Sequence, residues 1–183
     1  MIPPPTRNVS TWTTRQKAGR VLWALAGTFL FRPSPHNLYG FRAWLLRCFG
    51  ARIGRNVRIR ASVQIVIPWN IRIDDDTAVG DHAILYALGP IHIGRGSFIS
   101  QYAHLCAGTH DHTSLDYPLV RAPITIGEDC WIAAQAFVGP AVTIGDRSVI
   151  GACAVVTKDV PADQIWAGNP ARFLKARTLM PLT

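Results

Sequence analysis

Between Ile53 and Val156 an Ile, Leu or Val returns with a period of six: Ile53, Ile59, Ile65; Ile73, Val79, Leu85; Ile93, Ile99, Leu105; Ile126, Ile132, Val138; Ile144, Ile150, Val156. Two places before many of them stands a small residue, as at Thr77, Ala83, Ser97, Ala103, Cys130, Ala136, Ser148 and Ala154. Just after many of them stands glycine, as at Gly54, Gly80, Gly94, Gly127, Gly139, Gly145 and Gly151. Six matches neither a helix nor the alternation of a half-buried strand. The period predicts an all-β solenoid in which three hexapeptides close one triangular coil. The aliphatic and small residues fill the interior, and glycine sits at corners that need unusual backbone angles. The steps 53 to 73 and 73 to 93 are 20 residues, an 18-residue coil plus two, and 126 to 144 is 18, but 93 to 126 is 33. One coil therefore carries an insertion, about residues 109–123, and such an excursion from a regular scaffold marks a functional loop.

Ahead of the repeats the spacing turns helical. Val21 to Phe31 is apolar and follows Arg15, Lys17 and Arg20, while Leu38, Phe41, Leu45 and Phe49 recur at helical spacing with Arg42 and Arg47 between them. Two short helices parted by Arg32-Pro33-Ser34-Pro35 are expected. The chain thus divides into a basic, largely helical N-terminal cap (1–52), the β-helix (53–161) and a C-terminal segment (162–183). In that last segment Asn169-Pro170 reads as the N-cap and first turn of a short helix.

At 183 residues and 49% hydrophobic, the chain can bury a core without disulfides. Cys48, Cys106, Cys130 and Cys153 show no Cys-x-x-Cys pairing, and Cys130 falls on an inward position. Reduced thiols, a cytoplasmic setting and no metal are expected. The net charge of +8 is lopsided: residues 1–60 hold eleven Lys or Arg and no acid, the remainder eight basic and eleven acidic residues. Eleven apolar residues are too few to span a bilayer. The basic front end has two readings: a cap over the open first coil, or a cap that also touches the anionic inner face of a membrane through residues 15–49. No nucleic-acid motif accompanies it, so no nucleic-acid partner is expected.

Several segments together resemble hexapeptide-repeat O-acetyltransferases, the group that includes galactoside, maltose and nodulation-factor acetyltransferases. They are the repeats, Leu105-Cys106-Ala107-Gly108-Thr109-His110-Asp111-His112, Pro123-Ile124-Thr125-Ile126-Gly127 with Trp131-Ile132, and Val155-Val156-Thr157-Lys158-Asp159 followed by Ala167-Gly168-Asn169-Pro170-Ala171-Arg172. The Arg-rich front, Leu45-Leu46-Arg47-Cys48-Phe49-Gly50-Ala51-Arg52-Ile53-Gly54 and Pro68-Trp69-Asn70 look most like the colanic acid biosynthesis acetyltransferases. The resemblance implies a left-handed parallel β-helix, a homotrimer with sites between subunits, and acetyl-CoA as acyl donor to a sugar or lipid-linked saccharide acceptor of exopolysaccharide synthesis.

The resemblance places His110 at the catalytic position. A sugar hydroxyl is a poor nucleophile until a base takes its proton, and imidazole titrates near neutrality. Asp111 and His112 are candidates for orienting His110 or lining the acceptor pocket, or else are solvated loop residues. Relatives with an acidic acceptor-site residue in the preceding coil differ from this chain, which has Ala87-Leu88 there. Cys106 invites a covalent route, but its place just after Leu105 reads as packing, so direct attack in a ternary complex is expected. For the donor, the resemblance assigns Trp131 near the thioester and Ala134, Ala152, Thr157 and Lys158 along the track. Arg172 and Lys175, three apart on the expected terminal helix, would share one face and meet phosphates. Two other classes fit a β-helix: a carbonic-anhydrase-like metalloenzyme using His82, His104 and His110, whose spacing here differs from that family's, and a non-enzymatic trimeric scaffold, which has no need of His110.

Overall fold

The computed structural model describes residues 12–179 and is a parallel β-solenoid preceded by two helices. Five complete coils stack along three faces. Face one runs through Arg52–Ile53, Ile71–Ile73, Ile91–Ile93, Ile124–Ile126 and Thr143–Ile144. Face two runs through Arg58–Ile59, Ala78–Val79, Phe98–Ile99, Trp131–Ile132 and Val149–Ile150, and face three through Gln64–Ile65, Ile84–Tyr86, His104–Cys106, Phe137–Val138 and Val155–Val156. The sixfold register is the ladder register: Ile53 pairs with Ile73, Ile59 with Val79, Ile65 with Leu85, and so on to Ile144, Ile150 and Val156. All fifteen aliphatic positions are buried, as are the eight small residues two places earlier.

Glycine after each aliphatic residue has a different cause from the one expected. None of these seven glycines has positive φ. A Cβ at Gly127 would lie 2.7 Å from the amide nitrogen of Asp146 in the next coil, and one at Gly145 only 2.4 Å from that of Ala162. Close stacking of coils excludes the side chain. The left-handed backbone falls two residues later, at Asn56, Asp76, His82, Tyr102, Asp129, Gln135, Arg147 and Cys153.

Each coil's amides donate to carbonyls of the following coil, as Arg58 N does to Thr77 O and Arg60 N to Val79 O, which leaves the first coil's carbonyls pointing out of the open end. Helix α1 (Thr14–Ala26), which continues into a π-helical extension Gly27–Phe31, and helix α2 (Tyr39–Cys48) supply the donors. Trp23 Nε1 donates to Ile65 O at 2.6 Å, Arg42 Nε to Ile59 O at 2.7 Å, and Arg47 Nε to Ile53 O at 2.9 Å, one side chain for each face. Buried Arg42 also holds Ser34 Oγ, Pro35 O and His36 O. Its guanidinium pKa is lowered by that burial. A capping box between Thr13 and Gln16 starts α1. Both arginines of α2 are thus spent on carbonyls of the chain, Arg42 buried and Arg47 at the surface.

At the other end the expected helix at Asn169-Pro170 is absent. Gln164–Ala167 joins face two in parallel beside Val149–Ile150, and Arg172–Ala176 returns antiparallel to it. The last full coil has amides that need acceptors: Gly151 N donates to Trp166 O and Val155 N to Gly168 O. Extended chain meets that demand, and the local helix signal loses to it.

Candidate active site

The insertion leaves face three after Cys106 and folds into a small antiparallel ladder, Thr109–His110 against Leu119–Val120. Its two roots converge on Gly89, where a Cβ would come within 2.6 Å of Ala122 O and 2.9 Å of Ala107 O. The preceding coil supports it, since Asn70 Nδ2 donates to both Ala87 O and Leu88 O. Arg121, at the returning end, lies 3.8 Å over the Trp12 ring.

His110 is exposed, and its Nδ1 is 2.5 Å from Tyr117 O. A carbonyl only accepts, so Nδ1 carries the proton and Nε2 of the neutral ring bears the lone pair. That is the tautomer a general base requires. Asp111 does not orient His110. Its Oδ1 accepts from Thr113 N at 2.9 Å and Thr113 Oγ1 at 2.6 Å, and these bonds hold its carboxyl below the usual range. His112 is an exposed residue of the same loop. Cys106 Sγ is half-buried and 3.3 Å from Gly108 O, a packing position.

The donor candidates lie elsewhere on the prism. Trp131 is 47% exposed on the outer side of face two, its Nε1 donating to Ser100 Oγ at 2.8 Å. In register with it along that side stand Phe98, Val149, Ile165 and Lys175. Alternation would put Arg172 and Lys175 on opposite sides of a strand. A bulge at Leu174 changes this: Arg172 pairs with Ala167 and Lys175 with Ile165, two residues apart on the partner strand and hence on one side. The strip runs from an indole across two aliphatic side chains to two cations, roughly 14 Å over three strand steps. It suits a thin apolar arm ending in phosphates. Ala134 and Ala152 stack one coil apart at the next corner, between faces two and three, where Cys153 N donates to Ala134 O. Thr157 and Lys158 are exposed at the corner between faces three and one, the corner from which the His110 loop emerges.

Within one chain, therefore, His110 projects from the corner opposite face two, and the Trp131 to Lys175 strip lies on the far side of the prism. His110 and Thr157–Lys158 share one corner of the prism, two coils apart, while Trp131, Arg172 and Lys175 lie on the outer side of face two. Two participants escaped the sequence reading. Tyr117 acts through its backbone carbonyl, which leaves no side-chain signature. Ser100 occupies the place after Ile99, where the other coils of this face carry Arg60, Gly80, Ala133 and Gly151, so nothing in the sequence marked it. His82 stacks on Tyr102 with centroids 4.9 Å apart, and His104 lies between the edges of Tyr86 and Phe137. Among the described residues no three His, Cys, Asp or Glu are grouped to hold a metal ion.

Comparison with known proteins gives a consistent result. The family described as bacterial transferase hexapeptide (six repeats) matches residues 123–158. The chain is 50% identical over 155 residues to the provisionally named colanic acid biosynthesis acetyltransferase WcaF of Escherichia coli K12, covering 85% of each chain. It is 32% identical over 124 residues to the galactoside O-acetyltransferase of the same organism, covering 67% of this chain and 52% of that one. Among solved structures, a galactoside acetyltransferase in complex with coenzyme A superposes with a TM-score of 0.84 at 25% identity, over 92% of this chain and 86% of that one. A hexapeptide-repeat acetyltransferase of Vibrio cholerae, solved with acetyl coenzyme A, superposes at 0.83 and 24% identity over 93% of both chains, a likeness of fold.

Proposed function

The chain belongs to the hexapeptide-repeat acetyltransferases, and from that premise we propose that it transfers the acetyl group of acetyl-CoA to a sugar hydroxyl, with His110 as general base. The observation that carries the reading is the hydrogen bond from His110 Nδ1 to Tyr117 O, which leaves Nε2 as the accepting nitrogen. Nε2 takes the hydroxyl proton as the sugar oxygen attacks the thioester carbonyl. When the C–S bond breaks, the imidazolium returns that proton to the departing CoA sulfur. Both substrates are present together, and no acyl-enzyme forms at Cys106.

The acyl donor lies along the outer strip of face two, its arm over Trp131 and the Ala134 and Ala152 corner. Arg172 and Lys175 meet its phosphates, with Thr157 and Lys158 across the cleft. Because His110 and this strip sit on opposite sides of one prism, a complete site needs His110 from one subunit and the strip from the next. A closed ring of three prisms satisfies that demand with every site identical. The acceptor is a saccharide of exopolysaccharide synthesis carried on a membrane lipid, met in the cytoplasm, with Asp111 and His112 at its mouth. The identity to WcaF supports this acceptor class.

The test is thiol release from acetyl-CoA with a saccharide acceptor. His110→Ala lowers kcat by roughly 10² to 10⁴ while CoA still binds calorimetrically, and Cys106→Ala retains most activity. Wild-type turnover by His110→Ala, or an acetylated Cys106 trapped during turnover, overturns the assignment.

A further inference from the structure

The side of α1 that faces away from the solenoid carries the largest run of exposed apolar side chains in the helical front. Val21 is 61% exposed, Leu22 59%, Leu25 53% and Phe29 69%. With Ala18 they fall within an arc of about 100° at helical spacing. The helix cannot turn this side inward. Its opposite side is fastened by the Trp23 bond to Ile65 O, by buried Phe31, and by Gly19 against the Trp69 ring, where a Cβ would sit 3.2 Å from the indole.

Charge says what covers the exposed side. Exposed Arg15 and Lys17 flank the apolar arc on its two edges, and exposed Arg32 follows its end. No acid occurs in residues 1–60. In the second coil Asp75 pairs with Arg55 and Asp74 with Arg72, while Asp81, which lines a groove with Arg32, is paired with Arg60. An apolar stripe bordered by cations is complementary to the boundary between anionic headgroups and acyl chains. No helix of the described residues is long and apolar enough to cross a membrane.

We propose that α1 and its π-helical extension dock in the plane of an anionic membrane, burying Val21, Leu22, Leu25 and Phe29 among the acyl chains with Arg15, Lys17 and Arg32 at the headgroups. The α2 segment takes no comparable part, because Arg42 and Arg47 are turned into the first coil. The docking itself does not depend on the acetyl-transfer reading; only its benefit, holding the active site near a lipid-borne acceptor, rests on it.

The experiment is sedimentation of the full chain with vesicles of phosphatidylglycerol and phosphatidylcholine, against phosphatidylcholine alone, at low and raised salt. Binding to the anionic vesicles only, released by salt, is expected. Arg15→Gln, Lys17→Gln and Arg32→Gln each weaken partitioning about fivefold. Leu22→Ser/Leu25→Ser/Phe29→Ser removes binding by at least about tenfold, with an unchanged circular dichroism spectrum and unchanged turnover of a soluble saccharide. Three results overturn the proposal: no binding to anionic vesicles at low salt, equal binding to neutral ones, or a fall in oligomeric mass in the triple serine variant, which would make this face a contact between copies. A chain that binds vesicles yet fails to release thiol from acetyl-CoA leaves the docking standing and removes the enzymatic reading.

Discussion

If each site takes His110 from one subunit and the donor strip from the next, two inactive variants rescue one another. The first variant is His110→Ala. The second keeps His110 but carries Trp131→Ala, Arg172→Gln and Lys175→Gln. Loss of the two cations costs about 1 to 3 kcal/mol of CoA binding, since both are solvent-exposed. With the indole also gone, turnover at sub-saturating acetyl-CoA falls roughly a hundredfold. When equal amounts are unfolded and refolded together, half of all loops carry His110 and half of all strips are intact. A given site has both with probability one half times one half, so the mixture recovers about a quarter of wild-type activity. The readout is thiol release by the mixture, set against each parent refolded alone. A mixture that remains at the mean of its parents, after exchange of subunits has been verified by mass, refutes the division of the site between subunits.

Two further outcomes follow from the ends and flank of the solenoid. Arg42→Met leaves Ile59 O, Pro35 O and His36 O without their guanidinium donor and lowers the unfolding free energy by about 3 to 5 kcal/mol in urea, whereas Trp23→Phe, losing one bond, costs about 1 kcal/mol beyond packing. His104 Nε2 is buried without a hydrogen-bond partner, and burial pushes its pKa below the ordinary histidine value of 6.5. The unfolded chain therefore binds a proton that the folded chain refuses, so stability declines as pH falls from about 6.5 toward the folded pKa. His104→Phe, meeting the same Tyr86 and Phe137 edges, flattens that acid limb of the melting-temperature profile, and an unchanged slope counts against it.

The His110 loop was legible because it interrupts a strict repeat, and an interruption can be seen without knowing where the chain goes. The roles around His110 were not. Asp111 is its neighbour in sequence and has the right chemistry, yet Thr113 occupies its carboxylate, and the group that sets the tautomer is a backbone carbonyl seven residues on. Arg172 and Lys175 do share one side, but through a bulge in a hairpin and not through helical spacing.

The sequence by itself determined the solenoid, because in a stacked coil every residue's ladder partner is the residue at the same phase of the next coil. Local periodicity is then the whole register, from Ile53 over Ile73 to Ile150 over Trp166. Tertiary structure alone decided what happens where the repeat stops. At the first coil three outward carbonyls select Trp23, Arg42 and Arg47, from 42, 17 and 6 residues away, and at the last coil amides in need of acceptors draw Gln164–Ala167 into a strand, with Arg172–Ala176 returning beside it where a helix was expected. It also decided that His110 and the Trp131 strip lie on opposite sides of the prism, because which face a residue reaches depends on how three hexapeptides close a triangle in space.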